Sequence, residues 1–196
     1  MTTLPLVLAA YLIGSLSFAV IVSKLMRLPD PRSFGSGNPG ATNVLRTGRK
    51  SAAALTLLGD ALKGWVAVAG AQTLGADQTT VLLVALAVFI GHLFPIFFRF
   101  QGGKGVATAL GVLIGLNPWL GLACLATWLA MAKLFRISSL SALTTAVLAP
   151  VYATLLVGWG NTAIAVLALA LLLVYRHKSN LINLVNGEEG RIGRPS

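Results

Sequence analysis

Apolar residues fill this chain in long runs, roughly 4–26, 52–72, 80–98, 118–135, 138–158 and 160–176, separated by short connectors rich in Gly, Pro, Asn and basic residues. Each run is near the ~20 apolar residues that carry a helix across a bilayer, the shortest needing a tilted or thinned fit. The pattern predicts an all-α integral membrane protein, one multispanning domain over residues 1–196. Segment 105–117 decides the number of spans. Joined to 118–132 it makes one long helix and six spans; split at Asn117–Pro118 it makes seven. Pro118 suits the first position of a helix, and Asn117 before it is biased away from helical geometry. The split therefore predicts seven transmembrane helices. It leaves the fourth short, about 14 residues or ~21 Å against a ~30 Å hydrocarbon core. Its start is expected to lie recessed, with Phe100–Gly105 lining a wet pocket, because irregular backbone at that depth needs protein or water around it.

Charge sharpens this picture. Lys24, Arg27, Arg32, Arg46, Arg49 and Lys50 follow the first run, Arg99 and Lys104 the third, Lys133 and Arg136 the fifth, and Arg176, Lys178, Arg191 and Arg194 the last. The connectors near Gly75–Thr80, Asn117–Pro118 and Gly158–Asn161 hold no Lys or Arg. Basic loops stay in the cytoplasm, and only the seven-span division puts them all there. The N-terminus is then outside and the C-terminus inside. The formal net charge of +10 reads as orientation and attraction to anionic lipid, not nucleic-acid binding. With 56% hydrophobic and 10% charged residues, a soluble domain is excluded. The lone Cys124 lies in an apolar run, which argues against disulfides and thiolate catalysis. The first run lacks a basic n-region and is long enough to span, so no cleavable signal peptide is expected.

Three basic connectors carry chemistry. In Gly35-Ser-Gly-Asn-Pro-Gly-Ala-Thr-Asn-Val-Leu-Arg46, Asn38 suits an N-cap, Pro39 the first helical position and Gly48 the residue past the end. The prediction is a short surface helix over about 39–47 in the first cytoplasmic loop, with Ser36 and Gly37 before its anion-attracting N-terminus. Asn43 and Arg46 share one face. The second connector is Gly91-His-Leu-Phe-Pro95 followed by Phe100-Gln-Gly-Gly-Lys-Gly-Val-Ala-Thr108. Gly102, Gly103 and Gly105 let the backbone approach a ligand, and Lys104 places a charge at a helix start. It is not a Walker A loop, since the first glycine is missing and no Ser or Thr follows the lysine. His92 reads as a hydrogen-bonded structural histidine. The third is Arg176-His-Lys-Ser-Asn180 leading to Asn186-Gly-Glu-Glu189. A continuous helix there puts His177, Asn180 and Leu181 on one side, with Leu181 toward the core, Gly187 as a cap and Glu188 anchoring a basic neighbour. Within a span, Asp60 and Lys63 lie three apart on one face. Each charge costs ~3 kcal/mol at mid-bilayer, so they are expected to pair, as a strut or as support for the site.

No Gly-x-Ser-x-Gly elbow, no His-x4-Asp pair and no metal-ligand spacing is present. No metal and no cofactor is expected. The three motifs taken together resemble the bacterial acyl-phosphate:glycerol-3-phosphate acyltransferase family (PlsY), from about Gly14 to Glu189, and Asp60-x-x-Lys63-Gly64 fits as well. The resemblance implies transfer of a fatty acyl group from acyl phosphate to the 1-hydroxyl of glycerol 3-phosphate. The products are lysophosphatidic acid and phosphate, at the first step of phospholipid synthesis in the bacterial cytoplasmic membrane. Carried over residue by residue, Ser36 and Arg46 become essential first-motif residues, and Gly102, Gly103, Lys104 and Gly105 the glycerol phosphate cradle. His177 and Asn180 position substrate and activate the hydroxyl. Gly37, Asn38, Asn43 and the weaker Arg49 contribute to binding, while Glu188, Asp60 and Lys63 give structural support. The implied partners are the two substrates and membrane lipids. A transporter of a phosphorylated metabolite is the rival, weakened by outer connectors that offer no anion ligands.

Overall fold

A computed structural model describes residues 2–192, and every regular element among them is helical. Helices α1 (Thr3–Gly14) and α2 (Phe18–Leu25) precede a short α3 (Ala41–Leu45) and the long α4 (Lys50–Thr73). Then come α5 (Gln78–Leu93), a single 3-10 turn (Ile96–Phe98), α6 (Val106–Leu116) and α7 (Pro118–Phe135), followed by α8 (Ser138–Val157), α9 (Asn161–Arg176) and α10 (Lys178–Val185). Among the described residues, four helices are long and apolar enough to cross a membrane, or up to six when each bent pair, α1–α2 and α9–α10, counts as one crossing. The result is a multi-pass membrane fold. Its outward faces carry side chains such as Val147, Leu155 and Leu171, which a soluble protein would bury.

The break at Asn117 forms as the local chemistry requires. Its side-chain oxygen accepts from Trp119 and Leu120 N–H, at 2.9 and 3.2 Å, and Pro118 opens α7. Helix α6 is shorter than the sequence suggests, 11 residues, because Gly105 stays outside it in the left-handed region at φ 85°. At ~1.5 Å per residue α6 extends about 16 Å. It lies against α4 without intervening side chains: a Cβ at Gly111 would strike the Ala61 carbonyl, and one at Gly64 the Thr108 carbonyl.

Cross-contacts give the helix directions. Thr3 meets Thr80 at one end while Tyr11 donates to Phe94 O at the other, so α1 and α5 run parallel. Gln78 reaches Thr162 at the first end, and α9 arrives with Arg176 beside Gly102 at the second. Gly64 faces Thr108 and Val68 faces Gly115, which makes α4 and α6 parallel too. One end of the bundle thus gathers α2, α3 and α10, the starts of α4, α6 and α8, and the ends of α5, α7 and α9.

Three local expectations change. The first apolar run is not one straight helix: it bends by 44° between α1 and α2. At the bend Ser15 Oγ–H donates to Tyr11 O, while its oxygen accepts from Ile96 N–H. The Leu16 carbonyl, released from the ladder, is taken by Lys63 at 2.6 Å. The predicted helix 39–47 shrinks to Ala41–Leu45, capped by Gly40 and not by Asn38. Gly40 N–H turns back to Asn38 O, which holds residues 38–40 out of the helix. Helix α9 does not continue through His177 but bends by 61° into α10, leaving Leu181 exposed instead of core-directed. Gly48 and Gly187 take left-handed conformations after α3 and α10, as expected of C-terminal caps. Arg27, Arg99 and Arg136 adopt that same conformation at the ends of α2, the 3-10 turn and α7, with φ of 55°, 52° and 57°. Arg194 lies outside the described residues.

Candidate active site

The charged end of the bundle contains a cleft of about 270 Å3 lined by Ser36, Gly37 and Asn38, by Gly102 and Lys104, and by Tyr175, Arg176, Lys178 and Ser179. All three motif connectors contribute to it, although they are far apart in sequence.

The first wall is shaped by Asn43, which is buried. Its oxygen accepts from Ser36 N–H at 3.1 Å, and its amide donates to Pro31 O at 2.7 Å and to Phe34 O at 3.1 Å. It is therefore a loop organiser behind Ser36, not a cleft-lining group. Arg46 lies one turn on along the same face, and its guanidinium abuts Gly35. Arg49 is exposed just before α4 and lies off the cleft.

The second wall is the glycine-rich loop. Gly103 N–H donates to His92 O at 3.1 Å. The loop, the His92 ring and the Pro39 carbonyl of the first wall converge where a Gly103 side chain would stand. Gly103 and Gly105 are buried under the cleft, Gly105 against Phe89 and Leu93, while Gly102 lines it. Lys104 Nζ donates to Asn180 Oδ1 at 2.5 Å. Burial pushes its ammonium below the ordinary lysine value; Glu189 opposes that shift, while Arg176 and Arg46 add to it.

The third wall comes from the α9–α10 junction. His177 is 3% exposed and shares one of its ring nitrogens, Nδ1, with Leu173 O at 2.8 Å. A carbonyl can only accept, so Nδ1 carries the proton and Nε2 the lone pair. Burial pushes this imidazole down to about 4. Neither His177 nor Asn180 lines the cleft. Asn180 sits behind it with its amide fixed from both sides, accepting from Lys104 and donating to Glu189 Oε1 at 2.6 Å. Ser139 Oγ donates to the same Glu189 oxygen at 2.6 Å. Glu188, expected as the anchoring carboxylate, is exposed; the following residue does that work, because the chain turns at Gly187 and Glu188 N–H folds back to Asn183 O.

Below the loop, Lys63 Nζ lies 3.0 Å from Asp60 Oδ1, 2.8 Å from His92 Nδ1 and 2.6 Å from Leu16 O. All three side chains are buried. The pair is thus both strut and support, since it ties the α1–α2 bend and α4 to the histidine beneath Gly103. Tyr175, Arg176, Lys178 and Ser179 are cleft residues that sequence reasoning did not assign. The signal for the last two was their adjacency to His177 in a basic run. Among the described residues no group of three His, Cys, Asp or Glu is arranged to hold a metal. The cleft can hold an anion among ammonium, guanidinium, hydroxyl and amide donors, next to lipid-facing helices.

A family model described as glycerol-3-phosphate acyltransferase matches residues 4–187. The chain is 74% identical over 200 aligned positions to the glycerol-3-phosphate acyltransferase of Thiobacillus denitrificans, covering 100% of both. It is 61% identical to that of Chromobacterium violaceum over 98% of this chain and 96% of the relative. A crystal structure of PlsY, an integral membrane glycerol 3-phosphate acyltransferase in its glycerol 3-phosphate form, superposes with a TM-score of 0.90 at 36% identity, over 97% of this chain and 96% of that one. Its lysophosphatidic acid form gives 0.89 at 35%, over 97% and 95%. By sequence, fold and assembly of its three motif loops, this chain belongs to the glycerol-3-phosphate acyltransferase family.

Proposed function

We infer that this protein transfers a fatty acyl group from acyl phosphate to the 1-hydroxyl of glycerol 3-phosphate, releasing phosphate and lysophosphatidic acid. The observation that carries this reading is the cleft itself. Three loops with phosphate-compatible donors meet at one end of a lipid-exposed helix bundle, where a phosphorylated headgroup and an acyl tail can be held together. In this reading Lys104, Ser36 and the amide groups at the start of α6 bind phosphate, with Arg46 close enough to add charge. The acyl tail lies among the helices.

Direct attack by the glycerol hydroxyl fits the side chains present. Acyl phosphate is an activated anhydride, so positioning and electrostatic stabilisation supply most of what is needed. Gly103 and Gly105 act as loop geometry, and Asn43 and Asn180 as organisers of Ser36 and Lys104. A histidine held at about 4 is a weak base, and His177 stands behind the wall. The leaving or bound phosphate, whose second ionisation lies near ~6, is the better proton acceptor.

Seven crossings belong to the same reading, with the N-terminus outside, the C-terminus in the cytoplasm and the cleft on the cytoplasmic face of a bacterial inner membrane. The parallel pairs α1 with α5, α4 with α6 and α5 with α9 support it, together with the break at Asn117, which makes α6 a short crossing. The basic connectors at the cleft end give the sign.

Purified protein in detergent, given acyl phosphate and labelled glycerol 3-phosphate, should form labelled lysophosphatidic acid, and Lys104→Ala should lower turnover ~100-fold or more. Product formed from acyl-CoA alone would place the chain in a different acyltransferase class.

A further inference from the structure

Arg176 differs from the other cleft cations in what it holds. Its Nη2 donates to Gly102 O at 2.9 Å and its Nε to Gly103 O at 3.2 Å. Its guanidinium carbon also lies 5.4 Å from the centre of the Phe94 ring. One fork thus spans two successive carbonyls of the glycine loop, while an aromatic face fixes the fork from behind.

The geometry points to Arg176 as a positioning residue for glycerol phosphate, an inference that rests on the acyl-transfer reading above. A peptide unit is planar, with its C=O and N–H opposed. The Gly102 carbonyl goes to Arg176 while the N–H of the same unit goes to His92 O. That peptide is pinned between the end of α9 and the end of α5. In the next unit the Gly103 carbonyl again goes to Arg176, which turns Lys104 N–H the other way. Left free, two carbonyl oxygens in a glycine-rich segment would swing and repel a dianionic phosphate. Arg176 covers both oxygens and locks the sequence of peptide orientations that leads into α6. Charge alone does not accomplish this: an ammonium is a point charge and cannot bridge two carbonyls with fixed spacing.

The prediction separates the two substrates. Arg176→Gln should raise KM for glycerol 3-phosphate ~10-fold or more, leaving kcat and KM for acyl phosphate within ~3-fold. Arg176→Lys, which keeps the charge, should be nearly as impaired as Arg176→Gln. Phe94→Leu removes the aromatic backing without touching the cleft and should give a ~3-fold KM effect for glycerol 3-phosphate. The double variant should be no worse than Arg176→Gln alone, because Phe94 acts through Arg176. An Arg176→Lys enzyme within ~2-fold of wild type would overturn the proposal in favour of a simple phosphate-attracting charge. Equal KM increases for both substrates would also overturn it. If Arg176→Gln does not purify as folded protein, Arg176→Lys and Phe94→Leu decide the matter by the same ratios. A wild-type protein that makes no lysophosphatidic acid from acyl phosphate would instead refute the functional reading.

Discussion

At Lys104 the loss of water weakens the hold of the ammonium on its proton, with Arg176 and Arg46 adding to the shift and Glu189 opposing it. A phosphate bound at Lys104, as proposed above, would restore that hold, so that substrate and proton would bind together. KM for glycerol 3-phosphate should therefore climb on the alkaline side at a pH below the ordinary lysine value, and initial rates between pH 7 and 10 would reveal it. At His177 burial acts in the same direction, and the folded imidazole titrates at about 4. The unfolded chain binds its proton near 6.5, so from there down to about 4 the unfolded state holds more protons and stability falls as pH falls. Above about 6.5 this contribution is fully present. It amounts to at most about 3 kcal/mol. His177→Asn should flatten that part of the melting temperature against pH in detergent. The acid limb of kcat/KM near pH 6 should survive the same substitution, since the reading above assigns it to substrate phosphate. Its disappearance would return His177 to the role of base.

Helix α6 delivers Lys104, and it does so from the surface of α4. The two backbones meet through Gly64 and Gly111, where no side chain fits, so α6 cannot shift along α4 without a clash. Gly111→Val should push the helices apart and cost about 2 kcal/mol or more. Because the cleft loop runs directly into α6, glycerol 3-phosphate affinity should fall alongside the melting temperature; a variant that loses stability but keeps its KM would separate the helix from the loop. Much of this was legible in the residues. Asn117–Pro118 announced the start of α7, and the glycines around Lys104 announced a backbone meant to come close to something. The bend at Ser15–Ser17 was not legible. Its stabilising partners, Ile96 N–H and Lys63, come from elements ~50 to ~80 residues away, and the local sequence remains apolar enough for one straight span. Asn38 failed as a cap because Gly40 N–H turns back to its carbonyl and keeps residues 38–40 out of the helix, a local turn that the capping pattern does not reveal. Glu189 could not be preferred to Glu188 without knowing how Gly187 turns the chain.

Across the whole molecule, positive charge marks one end of the bundle and the cleft lies at that end. Impermeant thiol reagents applied to intact cells should label a cysteine placed at Gly75 or Gly158, and should miss one placed at Glu188 until the membrane is opened. Labelling in the opposite sense would invert the proposed orientation. The left-handed arginines at 27, 99 and 136 add a time dimension to this arrangement. A finished fold would be served as well or better by glycine at each position, since a side chain there costs about 1–2 kcal/mol of backbone strain. Lys and Arg in the connectors bias which way a span threads, and these three arginines stand in the connectors that the proposed orientation places in the cytoplasm. Replacing all three by glycine should therefore raise the melting temperature of correctly inserted protein by a few degrees while lowering the fraction of chains that insert correctly. On the proposed orientation, these three arginines would place a threading signal at positions where the finished fold bears backbone strain.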